Sequence, residues 1–155
     1  ITCRDWSSDV CSSDLIPVGR DDLELAAQRA GGELRSWSRK DGPESFVIQA
    51  ALRFPTMASF ASFLDPTGTF ASYAETGGRS SLSVRLSEGT APADKDLIEF
   101  IKLAFADYVV AFRVVAPRNP TATGGMTVSG RTASFSMKAA DLYASAVPVS
   151  LTVSW

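Results

Sequence analysis

The chain has 155 residues, 45% of them hydrophobic and 21% charged, a balance that fits one globular domain with its own core. It carries 15 basic and 17 acidic side chains, two cysteines and no histidine. The absence of histidine excludes Ser-His-acid and Cys-His catalytic sites and removes the commonest transition-metal ligand.

The first fifteen residues stand apart. They are rich in serine and aspartate, and neither a strand nor a helix period runs through them. The run from Trp6 to Leu15, WSSDVCSSDL, resembles the one-frame translation of a sequencing-library adapter. Residues 1–15 are therefore read as a non-native segment and set aside from fold reasoning. Both cysteines, Cys3 and Cys11, lie inside it. A disulfide or a metal half-site there would lack the further ligands that zinc normally recruits. Setting aside one Arg and three Asp leaves 14 basic and 14 acidic residues. A net charge of zero gives no electrostatic case for nucleic acid. On this reading residues 16–155 form a single α+β domain that is truncated at its N-terminus and ends naturally near Trp155.

Residues 20–30 read as a short helix, with Asp21 and Asp22 at its positive end and Gly31-Gly32 stopping it. Leu23, Ala26, Ala27 and Ala30 share one face. Two strands follow, a weakly patterned one at 33–39 and a clear one at 44–54, joined by a turn at 40–43. In the second, Phe46, Ile48, Ala50, Leu52 and Phe54 alternate with Val47, Gln49, Ala51 and Arg53. Thr56 caps a helix over 57–64 whose apolar side carries Met57, Phe60, Phe63 and Leu64. A hairpin comes next, with arms at 69–75 and 80–88 around Gly77-Gly78. Leu82, Val84 and Leu86 point one way, and Ser81, Ser83, Arg85 and Ser87 the other.

Pro92 and Asp94 open the strongest helix, in which Leu97, Ile98, Ile101, Ala104, Phe105 and Tyr108 form a broad apolar stripe. Strands are expected at 109–116, 125–129 and 132–137, then a helical turn at 139–143 and a closing strand at 147–155. That last strand alternates Val147, Val149, Leu151, Val153 and Trp155 with Pro148, Ser150, Thr152 and Ser154, giving a hydroxyl-rich outer face. Hairpin-linked strands separated by helices predict an α+β fold, an antiparallel sheet with two to three helices packed on one face.

No catalytic constellation emerges. Asp21-Asp22 and Asp94-Asp96 sit at helix starts, where the macrodipole accounts for them. The glycine pairs at 31–32, 77–78 and 124–125 lack the strand-to-helix setting and following lysine of a phosphate loop. Ser136 and Lys138 share a strand face, and that face is opposite Phe135 and Met137, hence polar and outward. No metal or cofactor is implied. The aromatic residues Phe46, Phe54, Phe60, Phe63, Phe70, Tyr73, Phe105, Phe112 and Phe135 fit core positions. The alternative is an apolar pocket for a lipid chain, contacted by Phe60, Phe63 and Phe105.

The C-terminal third carries a resemblance. VAFRVVAP at 110–117 is a strand ending in a proline turn, followed by Asn119, Thr121, Gly124-Gly125, the hairpin MTVSGRTASFS at 126–136, and the closing strand through Leu142 and Ala144. Residues 109–155 resemble the LppM-type bacterial envelope lipoprotein domain. Arg131 stands where that pattern has a turn asparagine, and Ser134-Phe135 where it has Thr-Trp. PVGRDDLELAA at 17–27 also resembles uncharacterised envelope proteins of this general kind. The resemblance implies an extracytoplasmic domain tethered to a bacterial membrane through a lipidated cysteine upstream of this chain. It also implies a non-enzymatic binding or interaction role with lipid or glycolipid contact. The alternative function is a periplasmic carrier of a lipid or other hydrophobic ligand, and a third is a hydrolase built on serine and acidic side chains.

Overall fold

The computed structural model describes residues 19–42, 46–90 and 94–155, with residue 46 described by its backbone only. The fifteen-residue opening segment, Pro43, the expected strand start at residue 44 and the helix-opening Pro92 lie outside the described residues. Among the described residues four helices and nine strands, all paired antiparallel, make an α+β protein. Where the sequence treats residues 16–155 as one domain, the structure divides into two compact units, with the boundary between Pro66 and Thr67.

The first unit contains α1 (Arg20–Arg29), β1 (Glu33–Asp41), β2 (Phe46–Arg53) and α2 (Met57–Leu64). Asp21 and Asp22 occupy the first turn of α1, as its dipole favours. The helix closes on Gly31-Gly32, with the Gly32 N–H donating to the Ala27 carbonyl at 2.7 Å. Ala27 is fully buried and the rest of the alanine face half-buried. The weak pattern of β1 has a physical cause. Leu34 and Trp37 are three residues apart, which strict alternation would place on opposite faces, and a bulge between Leu34 and Ser36 shifts the register. Leu34 then pairs with Leu52, and Trp37 with Ala50. The Thr56 hydroxyl accepts from the Ser59 N–H at 3.1 Å and starts α2.

The second unit contains β3 (Ala71–Thr76), β4 (Arg79–Ser87), α3 (Lys95–Ala104), β5 (Val109–Val115), β6 (Thr121–Thr123), β7 (Thr127–Ser129), β8 (Thr132–Lys138), α4 (Ala139–Tyr143) and β9 (Val149–Ser154). Its strands form two sheets, ordered β3-β4-β9-β6 and β5-β8-β7. The turn between β3 and β4 has both Gly77 and Gly78 at positive φ, 59° and 75°, the geometry that matches strand twist in a two-residue hairpin and that side chains resist. Leu82, Leu151 and Val153, each only 1% exposed, are the largest fully buried side chains. By alternation they line one face of the four-stranded sheet. Ala139, Ala140 and Leu142 of α4 are buried too, and α4 packs on β8 and β4. In β8 Phe135 is buried, whereas Ser136 and Lys138 are exposed.

Candidate functional site

Two surface features of the second unit hold the chemistry. The first grows out of the four-stranded sheet. Register places Ser72, Ser83, Thr152 and Thr123 in one row across β3, β4, β9 and β6, and Ala74, Ser81, Ser154 and Thr121 in the next. The face opposite the core is therefore a lattice of hydroxyls. Its members bond across strands: Ser81 to Ser154 and Ser83 to Thr152, each at 3.0 Å. Such side-chain pairs are the unit of sheet stabilisation, so these hydroxyls have a structural use of their own.

At one end of this lattice lies a cleft of about 200 Å³, lined by Arg79, Arg118, Asn119, Thr121, Ser154 and Trp155. Each wall has a local cause. Arg79 opens β4 directly after the two-glycine turn. Thr121 opens β6 and faces Ser154 on β9. Trp155 continues β9 through paired backbone bonds with Ser80 at 2.8 and 2.9 Å, and its ring lies 6.4 Å from that of Tyr73. Arg118 and Asn119 come from the connection between β5 and β6, held by buried Ala116 and Pro120 at its ends. The Arg118 guanidinium donates to the Gly78 carbonyl and so ties that connection to the β3–β4 turn.

The lining contains two guanidiniums, a carboxamide, hydroxyls and an aromatic residue, and no acidic side chain. Among the described residues neither Arg79 nor Arg118 has an ion pair. This set is a concentration of donors and positive charge, joined by the α-carboxylate of Trp155 where the given chain ends.

The second feature is α3. Asp94 caps it, its side chain accepting from the N–H groups of Asp96 and Leu97 at 2.9 and 3.4 Å. Asp94 and Asp96 are thus helix-start residues. The apolar stripe read from the sequence is present, yet no residue of the helix is buried. Ile98 and Ile101 are half-buried, and the helix packs against α4. Leu97, Phe100 and Leu103 stay 45%, 68% and 84% exposed. Phe105, just past the helix, is in ring contact with Tyr108 at 5.8 Å and Tyr143 at 5.5 Å, and both tyrosines are exposed.

Of the three residues named for a hydrophobic ligand, Phe60 and Phe63 belong to the first unit and Phe105 to the second. Phe60 and Phe63 both lie against Phe54, with ring centroids 5.7 and 5.1 Å apart. None of the three lines the arginine cleft. The sequence reading missed Arg79 and Arg118 entirely and took Ser154 for part of a polar outer face. No protein-family model, curated protein or solved structure matches this chain.

Proposed function

We propose that this chain is a non-enzymatic binding module of the bacterial cell envelope, held on the extracytoplasmic side by an upstream lipid anchor, and that α3 rests on the membrane surface. The observation that carries the reading is the outward display of Leu97, Phe100 and Leu103 on a helix without a buried residue. Water-exposed apolar side chains of this size, gathered on one helix face, mark a surface that is covered in use.

A phospholipid bilayer suits that face. The helix has ten residues, about 15 Å of length, which cannot cross a hydrocarbon core of about 30 Å but can lie along its boundary. Lys95 and Lys102 lie away from Leu97, Phe100 and Leu103, and Asp96 and Glu99 sit one turn before Phe100 and Leu103, so an interfacial helix here would rest shallowly on its apolar tips. Exposed Tyr108 and Tyr143 beyond its C-terminal end are the side chains that favour the headgroup layer. The resemblance of residues 109–155 to the LppM-type lipoprotein domain supports the same placement.

Flotation with phosphatidylcholine vesicles tests the membrane contact. Lys95 and Lys102 are outnumbered by Asp94, Asp96 and Glu99, so binding is expected to need no anionic lipid and to change little with salt. Burying a side chain such as Phe or Leu contributes about 1.5–3 kcal/mol, so the double variant Phe100→Ser, Leu103→Ser should lose at least about tenfold in partitioning. Equal flotation of that variant and the parent chain would refute the contact. Tethering is checked separately by sequencing upstream of residue 16 and labelling with a radioactive fatty acid. A signal sequence ending in a lipidated cysteine is expected, and a cytosolic start close to residue 16 would remove the envelope placement.

A further inference from the structure

We infer that the cleft between Arg79 and Arg118 binds a phosphomonoester, as its dianion. The inference is independent of the membrane contact of α3, because it rests on a different surface of the second unit.

Charge comes first. Two guanidiniums without an ion pair among the described residues line one small cleft that has no acidic side chain in its wall. The wall also holds Trp155, whose α-carboxylate at the end of the given chain offsets one of these charges, and the two guanidiniums still leave the cleft net positive, which favours an anion. Donor count comes second. A carboxylate has two oxygens, and the fork of one arginine satisfies them. Here a second guanidinium, the Asn119 amide and the hydroxyls of Thr121 and Ser154 surround the same space. That surplus fits a tetrahedral group with three terminal oxygens better than a planar one with two.

Preorganisation is the third argument. An exposed arginine normally loses side-chain freedom when it binds. Arg118 has already given up part of that freedom by donating to the Gly78 carbonyl, which leaves its remaining N–H groups for the cleft. Thr121 and Ser154 are fixed by the pairing of β6 with β9, and Ser154 is further held by Ser81 at 3.0 Å. Arg79 follows a turn that two glycines hold at positive φ. The donors thus stand on four stretches of backbone that the sheet and one guanidinium lock together.

The test is an NMR titration of the full chain in phosphate-free, low-salt buffer, following backbone and arginine Nε–H signals. Orthophosphate and glycerol 3-phosphate are expected to shift Arg79, Arg118, Asn119, Thr121 and Ser154, and acetate at equal concentration is not. Each of Arg79→Gln and Arg118→Gln should weaken phosphate binding by about tenfold or more. Both side chains are exposed, and unchanged spectra elsewhere would show the variants folded. Glycerol 3-phosphate, whose second ionisation is centred at about pH 6, should bind more tightly at about pH 7.5 than at about pH 5, whereas sulfate, a dianion throughout, should bind equally at both ends.

A parallel flotation arm identifies the source of the phosphate. If phosphatidic acid added to phosphatidylcholine vesicles raises binding only when Arg118 is present, the phosphomonoester is a lipid headgroup. If soluble esters bind and phosphatidic acid adds nothing, it is a free metabolite. Acetate binding as well as phosphate, shifts scattered over the surface, or variants that bind like the parent would each overturn the assignment.

Discussion

Gly124 and Gly125 follow β6 with nearly the same backbone, φ 79° and 78°, yet they differ in what surrounds them. A Cβ at Gly124 would run into the Ser150 carbonyl oxygen, which is backbone and cannot swing away, whereas a Cβ at Gly125 would meet nothing within 4 Å. The two positions separate conformational strain from collision. Gly125→Ala should cost about 1–2 kcal/mol, the penalty of a left-handed residue. Gly124→Ala adds a clash at the sheet edge, where β6 meets β9, and should cost about 3 kcal/mol or more. Thermal melts of the two variants check the difference, and equal melting points would mean that the sheet edge yields to the extra carbon. Gly124 matters for function as well, because the same edge carries Thr121 and Ser154 into the cleft.

Among the elements, α3 shows how far a periodic sequence reaches. Its apolar stripe at 97, 98, 101 and 104 was plain, because a 3.6-residue period needs only the residues themselves. What covers a stripe depends on the rest of the molecule, and among the described residues α4 covers this one only in part, at Ile98 and Ile101. The helix also stops at Ala104, so Phe105 and Tyr108 belong to the turn that follows. Strand limits were legible where alternation is strict, as in β4 and β9, and blurred in β1, where a bulge breaks the period. β6 escaped because three residues between a proline and two glycines carry almost no pattern. The cleft escaped for the same reason at greater range. Arg79, Arg118 and Ser154 come together only through the pairing of β4 with β9 and of β9 with β6, which no local spacing announces.

Because α3 has no buried residue, its own start signal should weigh heavily in its stability. The Asp94 carboxylate satisfies two N–H groups that the helix cannot satisfy itself. Asp94→Ala should cost about 1 kcal/mol, felt locally as fraying. Hydrogen exchange is the suitable readout. Faster exchange is expected at Ile98, whose N–H bonds to the Asp94 carbonyl, and through the first turns of α3. The amides of Leu82 and Val153 should keep their protection. A uniform loss across the chain would instead tie α3 to the global stability of the second unit.

At the scale of the molecule, every strand pairing closes within one unit: β1 with β2 in the first, and all others in the second. The two units are unequally equipped to fold. Among its described residues the first has one two-stranded sheet and two short helices, and only Ala27, Ala61 and Asp65 of them are buried. An isolated hairpin is marginal in water, and the helix packed on this one adds few fully buried side chains. The second has two sheets, a helix packed between strands of both, and its largest buried side chains joined by the pairing of β4 with β9. That pairing brings together residues roughly seventy apart in sequence, so loop closure must precede most of the apolar gain and folding should be slow for the size of the unit. A fragment spanning Thr67 to Trp155 is therefore expected to fold alone, with a single cooperative urea transition. Within it, Leu82→Ala should remove about 3 kcal/mol through the cavity left in the sheet core. The fragment preceding Pro66 should show no comparable transition. If the Thr67–Trp155 fragment proved unfolded by near-ultraviolet circular dichroism, the sheet would depend on residues before Thr67, and the ligand and membrane surfaces assigned to the second unit would have to be tested only in the whole chain.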